Sequence, residues 1–557
     1  MLTTRRAFLH TGAAAAAGVA TFGLPRIEAA PSFDLVLSGG TIVDGTGAPV
    51  FTADLGLRGG RIAALGAIAP EQGRRALDVS RFHVCPGFID IHTHSDGGIL
   101  RYPTADSRVR QGVTTELTGH CGSSAAPLAG LPAERRRAAW RENGIDATWS
   151  DVASYLDTLE RTGIAINQAL LVGQGTLRDN AVGLVDRPLA PDEMAAGLRA
   201  VEEGIEQGAF GLSTGLEYTP GRYTPTAEIV AMARVVARHG GLYATHIRNE
   251  EAMLLEAVDE AISIGRQAGV RVEIAHLKAA GRPNWGKQAG ALHLIESARR
   301  SGIDVGADAY PYTAYSTSLT ILLSDAALEG GMPAVVERLR DPAWRARIRR
   351  EVDQQMAKEL GDYALIVISS VRTPANQPVV GRTMTDIAGL WNVDPVDAVL
   401  RLIEEEEGGV SFIGHGMSPE NVDMVLGHPL VMVGSDGSSM APVGRAAETR
   451  PHPRSYGTFA RVLGYYCRER QLFDLPTAVK KMTSLPADQI GLAGRGRIAP
   501  GQAADLVVFD AGRVRDTATF DAPHQYPEGI AHVLVNGVFV VENGAHTGAT
   551  PGSALRK

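Results

Sequence analysis

Pro86-Gly87-Phe88-Ile89-Asp90-Ile91-His92-Thr93-His94 carries an apolar run into a His-x-His pair. In a strand, alternate side chains share a face, so His92 and His94 point the same way. Two imidazoles side by side at a strand end can grip one borderline-soft metal ion. Alone, the pair is weak evidence, because two core or surface histidines would read the same. The reading turns on whether further ligand-type residues stand at the ends of other strands.

Outward from this strand, the middle of the chain alternates short apolar strands with amphipathic helices, the pattern of a parallel sheet covered by helices. Strands are expected near 87–93, 113–119, 166–172, 209–214, 242–247, 271–277, 303–309 and 430–435, with helices such as 192–207, 226–239, 251–268 and 288–301 between them. Eight such units favour an α/β fold of the (β/α)8 TIM-like barrel type, whose active site lies at the C-terminal strand ends. A doubly wound open sheet is the alternative, but no Gly-x-Gly-x-x-Gly loop follows the first strand. The segment from about 313 to 428 is too long for one connection and reads as an insertion near the active-site mouth.

Both ends of the chain are β-rich. Phe33-Asp34-Leu35-Val36-Leu37 and Thr41-Ile42-Val43 flank a Ser38-Gly39-Gly40 turn; Asp505–Phe509 and Val533–Val541 have the same character. A small β-sandwich domain is therefore expected from residues 31–85 and 485–557, with the catalytic barrel over 86–484. Before it, Thr3-Thr4-Arg5-Arg6-Ala7-Phe8-Leu9 and an Ala/Gly-rich run to about Leu24 resemble a twin-arginine export signal, with cleavage near Ala29 or Ala30 and a periplasmic destination. That run is too polar and interrupted for a membrane span, so no span is expected in the mature protein.

The chain has 557 residues, 44% hydrophobic and 21% charged, with a net charge of −8, which is ordinary globular composition. That balance supports no nucleic-acid partner and leaves a small-molecule substrate as the expected partner of a barrel mouth. Cys85, Cys121 and Cys467 are too few for a disulfide framework.

Further ligand-type residues do fall at expected strand ends. Cys121 follows the second strand, His246 ends the fifth, His276 the sixth and Asp436 the eighth. With His92 and His94 they make a thiolate, imidazole and carboxylate set suited to zinc. Each has an ordinary alternative: a buried Cys is often a small hydrophobe, and Asp436 before Gly437 could be a turn residue.

On these residues the chain resembles the amidohydrolase superfamily and, within it, the N-acyl-D-amino-acid deacylases (D-aminoacylases). The matching stretches include Phe88–Asp96, Gly119-His120-Cys121-Gly122, Gly211–Tyr218, Thr245–Glu250, Ala275-His276-Leu277-Lys278, Gly434–Gly437, Arg450–Phe459 and Gly496–Leu506. The resemblance implies that Cys121, His246 and His276 hold a tightly bound zinc. His92, His94 and Asp436 would surround a second, weaker position. Cyclic-amide relatives bridge two metals with a carboxylated lysine on the fourth strand, whereas Gln207–Thr214 contains no lysine.

Zinc supplies a Lewis acid and acidifies water, but hydrolysis also needs a proton for the leaving amine. Asp436 is the candidate general base and then general acid. A free α-carboxylate needs a grip, for which Arg454 and Lys278 are candidates, with a tyrosine hydroxyl from Tyr310 or Tyr312, preferably Tyr310. Arg248 reads as structural support, and His120, His415 and His452 carry no assigned role. The expected activity is zinc-dependent hydrolysis of N-acyl-D-amino acids, the D preference coming from the resemblance alone. Hydrolysis of another amide, such as a cyclic ureide, dipeptide or N-carbamoyl amino acid, is the alternative. A metal-dependent binding protein without catalysis is the third.

Overall fold

The computed structural model describes residues 31–557 apart from Leu131; the expected export signal lies outside the described residues. Eight parallel barrel strands run Phe88–Asp90, Val113–Thr118, Asn167–Gly173 (broken at Leu171), Gly211–Gly215, Leu242–His246, Arg271–Ile274, Val305–Ala309 and Val431–Val433. The break at Leu171 divides the third strand between its neighbours. Asn167–Leu170 pairs with the second strand, and Val172–Gly173 with the fourth. Between the first and last strands the barrel closes at its C-terminal mouth. Thr93 bridges Gly437, His94 N–H donates to Gly437 O at 2.8 Å, and Asp436 N–H donates to His92 O at 2.8 Å. The seam is thus hydrogen-bonded through the candidate ligands themselves.

The helices are amphipathic with their apolar faces on the barrel. Leu254–Ala268, for example, buries Leu254, Ala257, Val258, Ala261, Ile262 and Ile264, the spacing of one helical face. It ends at Gly269, whose φ of 69° is the left-handed C-cap that glycine adopts without a Cβ penalty. The N-terminal end of the barrel is plugged by an apolar cluster of Ile89, Leu117, Phe210, Leu242, Met432 and Ile490.

The two chain ends form one nine-stranded sheet. His83–Pro86 pairs antiparallel with Leu506–Phe509, setting Cys85 opposite Val507. Phe33–Ile42 is long enough to serve both halves: its first part pairs with Gly73–Asp78, its last residues with His83–Pro86, and the register slips between Leu37 and Gly40. Such a bulge bends a strand and lets it turn a corner between the two layers of a β-sandwich. Alternation does the rest. Leu506 and Val508 join the small domain's core, while Val507 and Phe509 pack into the main barrel cluster.

Between the seventh and eighth strands an inserted unit has its own core and a three-stranded antiparallel sheet, Tyr315–Ser318, Ile366–Ser370 and Ser411–Gly414. The helix Pro419–Gly427 falls inside the stretch expected as insertion, but it packs on Gln288–Arg300 and Val431–Val433 as a barrel helix does. The last residues also leave the small domain. Leu555 N–H donates to Gln168 O at 2.7 Å, laying the tail beside the third strand.

Behind the seam, Arg108 is fully buried and holds three strands together. Its Nε donates to Glu116 Oε1 at 2.6 Å and its Nη2 to Ser435 Oγ at 2.7 Å; Nη2 lies 3.2 Å from Asp90 Oδ2, and Nη1 donates to Ser455 O at 3.3 Å. Burial still wins at Asp90, whose carboxyl is pushed up to about 6 despite the guanidinium. Removing one partner of a buried ion cluster leaves the others uncompensated. Arg108→Met is therefore expected to lower unfolding free energy by about 3–5 kcal/mol, measured by urea denaturation; a change below about 0.5 kcal/mol would show that the cluster does not hold the seam.

Candidate metal centre and active site

Cys121, His276 and Asp436 share an uncommon backbone: φ values of 50°, 34° and 50° put all three in the left-handed region. Non-glycine residues adopt it at a cost of about 1–3 kcal/mol each, and such strain gathers at functional sites. Around Cys121 the strain is supported by glycine. Gly119 has φ 79°, and a Cβ there would lie 2.1 Å from Leu171 O. Asp96 accepts from Gly119 N–H at 3.4 Å and from Ala125 N–H at 3.1 Å, pinning both ends of the loop that presents the thiol.

The six candidate ligands converge. Cys121 Sγ lies 3.5 Å from His92 Nε2 and 3.6 Å from His276 Nε2. Asp436 Oδ1 lies 3.0 Å from His94 Nε2 and 3.6 Å from His92 Nε2. Three sets have all their ligand atoms within 4.8 Å of one another: His92, Cys121 and His276; His92, His94 and Asp436; His246, Glu250 and His276. His276 thus connects Cys121 to His246. The set of Cys121, His246 and His276 is not itself one of the three; His246 Nε2 lies 3.0 Å from Glu217 Oε2, and its buried Nδ1 has no hydrogen-bond partner among the described residues. That orphaned nitrogen, beside a thiol and further imidazoles, fits a metal ion as the missing partner.

The electrostatics agree. Burial alone would raise the Cys121 thiol, but the neighbouring imidazoles of His92, His246 and His276 hold it well below its ordinary value. Burial would also raise Asp436; Arg454 beside it, with Nη1 2.8 Å from Oδ2, and His94 hold it well below. The surroundings of the site therefore favour the ionised forms of both Cys121 and Asp436.

The ligands are oriented from behind. His92 Nδ1 lies 3.1 Å from Asp308 Oδ2, and Asp308 Oδ1 accepts from His276 N–H at 3.0 Å. His276 Nδ1 lies 2.9 Å from Glu250 Oε1. Carboxylates on the far nitrogens of metal-binding histidines select the tautomer and raise ligand basicity. Glu217, Glu250 and Asp308 were not among the sequence candidates. Glu217 follows the fourth strand and Asp308 lies one residue before the end of the seventh, so the strand-end criterion that singled out the histidines could have reached both.

The remaining candidates separate. Arg454 lines the central cavity, and its guanidinium stacks 4.9 Å over the Tyr310 ring. The Tyr310 hydroxyl is buried without a partner, whereas Tyr312 turns away, its hydroxyl 3.5 Å from Pro453 O. Lys278 does not offer a free ammonium: Nζ is 2.5 Å from Glu250 Oε2 and 3.1 Å from His276 Nδ1. Arg248 pairs with Glu260 at 2.9 Å and donates to the Arg222 and Thr224 carbonyls, bracing the loop after the fourth strand. His120 stacks on His92 with ring centroids 4.1 Å apart, and His452 Nδ1 accepts from Arg454 N–H at 3.0 Å. The cavity over these residues measures about 520 Å³.

The fold thus brings a metal-type ligand set, the Asp436 carboxylate and the Arg454 guanidinium together around one cavity. Residues 82–541 match the model described as "Amidohydrolase family". The chain is 39% identical to a D-aminoacylase of Alcaligenes xylosoxydans xylosoxydans, covering 94% of this chain and 98% of that protein. It is 38% identical to an N-acyl-D-glutamate deacylase of the same organism, covering 94% and 96%. Among solved structures, an N-acyl-D-glutamate deacylase of Bordetella bronchiseptica, complexed with zinc and a phosphonate mimic of the tetrahedral intermediate, superposes with a TM-score of 0.80 at 37% identity, over 94% of this chain and all of that one. Structures of D-hydantoinases share the fold at TM-score 0.53 and 15–16% identity. The chain belongs to the amidohydrolase family, in its D-aminoacylase branch.

Proposed function

We propose that this protein is a zinc-dependent deacylase that hydrolyses N-acyl-D-amino acids to a carboxylate and a free D-amino acid. The observation that carries the reading is the Asp436–Arg454 pair, with its 2.8 Å contact, in the same cavity as the Cys121-centred ligand set. Similarity to D-aminoacylase and to the D-glutamate and D-aspartate deacylases supports the substrate class and its handedness.

Cys121, His246 and His276 would hold the zinc, with His92, His94 and Asp436 around a second, weaker position. Zinc, when bound, supplies a Lewis acid that polarises the amide carbonyl and acidifies a water molecule. Asp436 takes a proton from the attacking water and delivers it to the amine nitrogen as the C–N bond breaks. Its carboxylate is ready for the first step because Arg454 and His94 keep it ionised. Arg454 also faces the substrate's α-carboxylate, and the Tyr310 hydroxyl, lacking a partner, adds a donor to that anion. Lys278 contributes charge from behind while fixing Glu250 against His276.

Residues 1–30 are proposed as a twin-arginine export signal and the mature enzyme as periplasmic. Support comes from Arg5-Arg6 followed by Phe8-Leu9 and the Ala/Gly-rich run. Among the described residues no helix is long and apolar enough to cross a membrane.

Three outcomes test these readings. Purified enzyme assayed on N-acetyl-D- and N-acetyl-L-amino acids beside a hydantoin should turn over the D-compound; hydantoin turnover without deacylation would reject the deacylase reading. Asp436→Asn should keep its zinc by metal analysis and lose about 10²–10⁴-fold in kcat, whereas near-normal turnover would remove Asp436 from proton transfer. Arg5→Lys with Arg6→Lys should leave active precursor in the cytoplasmic fraction; undiminished periplasmic enzyme would reject the twin-arginine route.

A further inference from the structure

His94 lines two cavities. One is the cavity of the Cys121 and Asp436 site. The other, about 680 Å³, leaves His94 between the segment after the first strand, the helix Ala133–Glu142, the loop after Asp436 and the edge of the insertion. Its walls are closely fitted. A Cβ on Gly97 would lie 2.6 Å from the Trp140 ring, and one on Gly98 would lie 2.5 Å from Ser439 O. Only glycine lets the main chain lie against the indole and against the loop that carries Asp436. Trp140, Ile145 and Met440 give the passage an apolar lining.

Three arginines line the same cavity. Arg372 is answered by Glu407 at 2.7 Å. Arg101 lies 5.5 Å over the Tyr102 ring, and Arg445 donates to the Val371 and Arg372 carbonyls; among the described residues neither has a carboxylate within ion-pair distance. Glu142 is the one acidic residue lining the cavity. A cavity that shares His94 with the metal site, has Trp140, Ile145 and Met440 on part of its wall and carries two guanidinium groups without carboxylate partners fits a methylene chain that ends in an anion.

Resting on the deacylase reading, we propose that this cavity binds the acyl chain of the substrate, and that Arg101 and Arg445 favour acyl groups with a terminal carboxylate, the half-amides of dicarboxylic acids. In the proposed deacylase Arg454 takes the α-carboxylate; it meets Asp436 at Oδ2 and His94 meets it at Oδ1, so the cavity beyond His94 is left for the acyl chain. Both arginines are solvent-exposed, so the expected preference is modest, about three- to tenfold in kcat/KM, and weaker in high salt.

The test compares N-glutaryl- and N-pentanoyl-D-leucine, equal in chain length, in the native enzyme and in Arg101→Gln/Arg445→Gln. N-succinyl and N-adipoyl derivatives span the distance, and N-acetyl-D-leucine and N-acetyl-D-glutamate serve as references. The native enzyme should favour a dicarboxylic derivative over its uncharged counterpart, and the double variant should lose that advantage. No advantage in the native enzyme, or one that survives the double substitution, would overturn the proposal. If the variant instead lowers turnover of N-acetyl-D-glutamate relative to N-acetyl-D-leucine, the cavity takes the amino-acid side chain and the acyl assignment is wrong. Failure to hydrolyse N-acetyl-D-leucine at all would contradict the deacylase reading itself, and the proposal with it.

Discussion

Cys121, four histidines and Asp436 crowd the mouth of this barrel, with His92, His246, His276 and Asp436 buried and Cys121 and His94 part-exposed. Donor atoms of that kind, 3.0–3.6 Å apart, repel or compete for protons unless a cation lies among them. Much of the surrounding structure serves that crowding. Left-handed backbone at Cys121, His276 and Asp436 aims the side chains inward. Gly119 permits the turn, and Asp96 ties it down. Asp308 and Glu250 answer the outward nitrogens of His92 and His276. An apolar cluster of Ile89, Leu117, Phe210, Leu242, Met432 and Ile490 fills the far end of the barrel.

The seam links the same site to the fold. Hydrogen bonds closing the first strand to the last pass through His92, His94 and Asp436. Arg108 sits behind them and reaches Ser435, next to Asp436, and Ser455, next to Arg454. One buried guanidinium thus contacts the chain neighbours of both Asp436 and Arg454. Barrel closure and active-site geometry are one arrangement, and a change at Arg108 acts on both.

The parts legible in the sequence were those with a local signature. Strands with apolar runs ending in His or Cys could be read because a strand end at a barrel mouth is a catalytic address. Tyr310 was singled out by its place just after strand seven, and Arg454 by the resemblance of its His-Pro-Arg stretch to the deacylases. What escaped depended on partners far apart in the chain. Nothing near Lys278 shows that Glu250 neutralises it, because that pairing forms only when the loops after strands five and six meet. Glu217 and Asp308 stood at strand ends too, but acidic residues there are common and only the folded contacts with His246 and His92 single them out. Helix Pro419–Gly427 read as part of the insertion because its packing partner, Gln288–Arg300, is more than a hundred residues away.

We propose that one zinc ion per chain, with Cys121, His246 and His276 as its ligands, is enough for the reaction. Titrating metal-stripped enzyme with zinc while following N-acetyl-D-amino acid hydrolysis tests it most directly. Activity should rise linearly and reach its maximum at one zinc per chain. A maximum only at two zinc ions per chain, or full activity in the stripped protein, would contradict it.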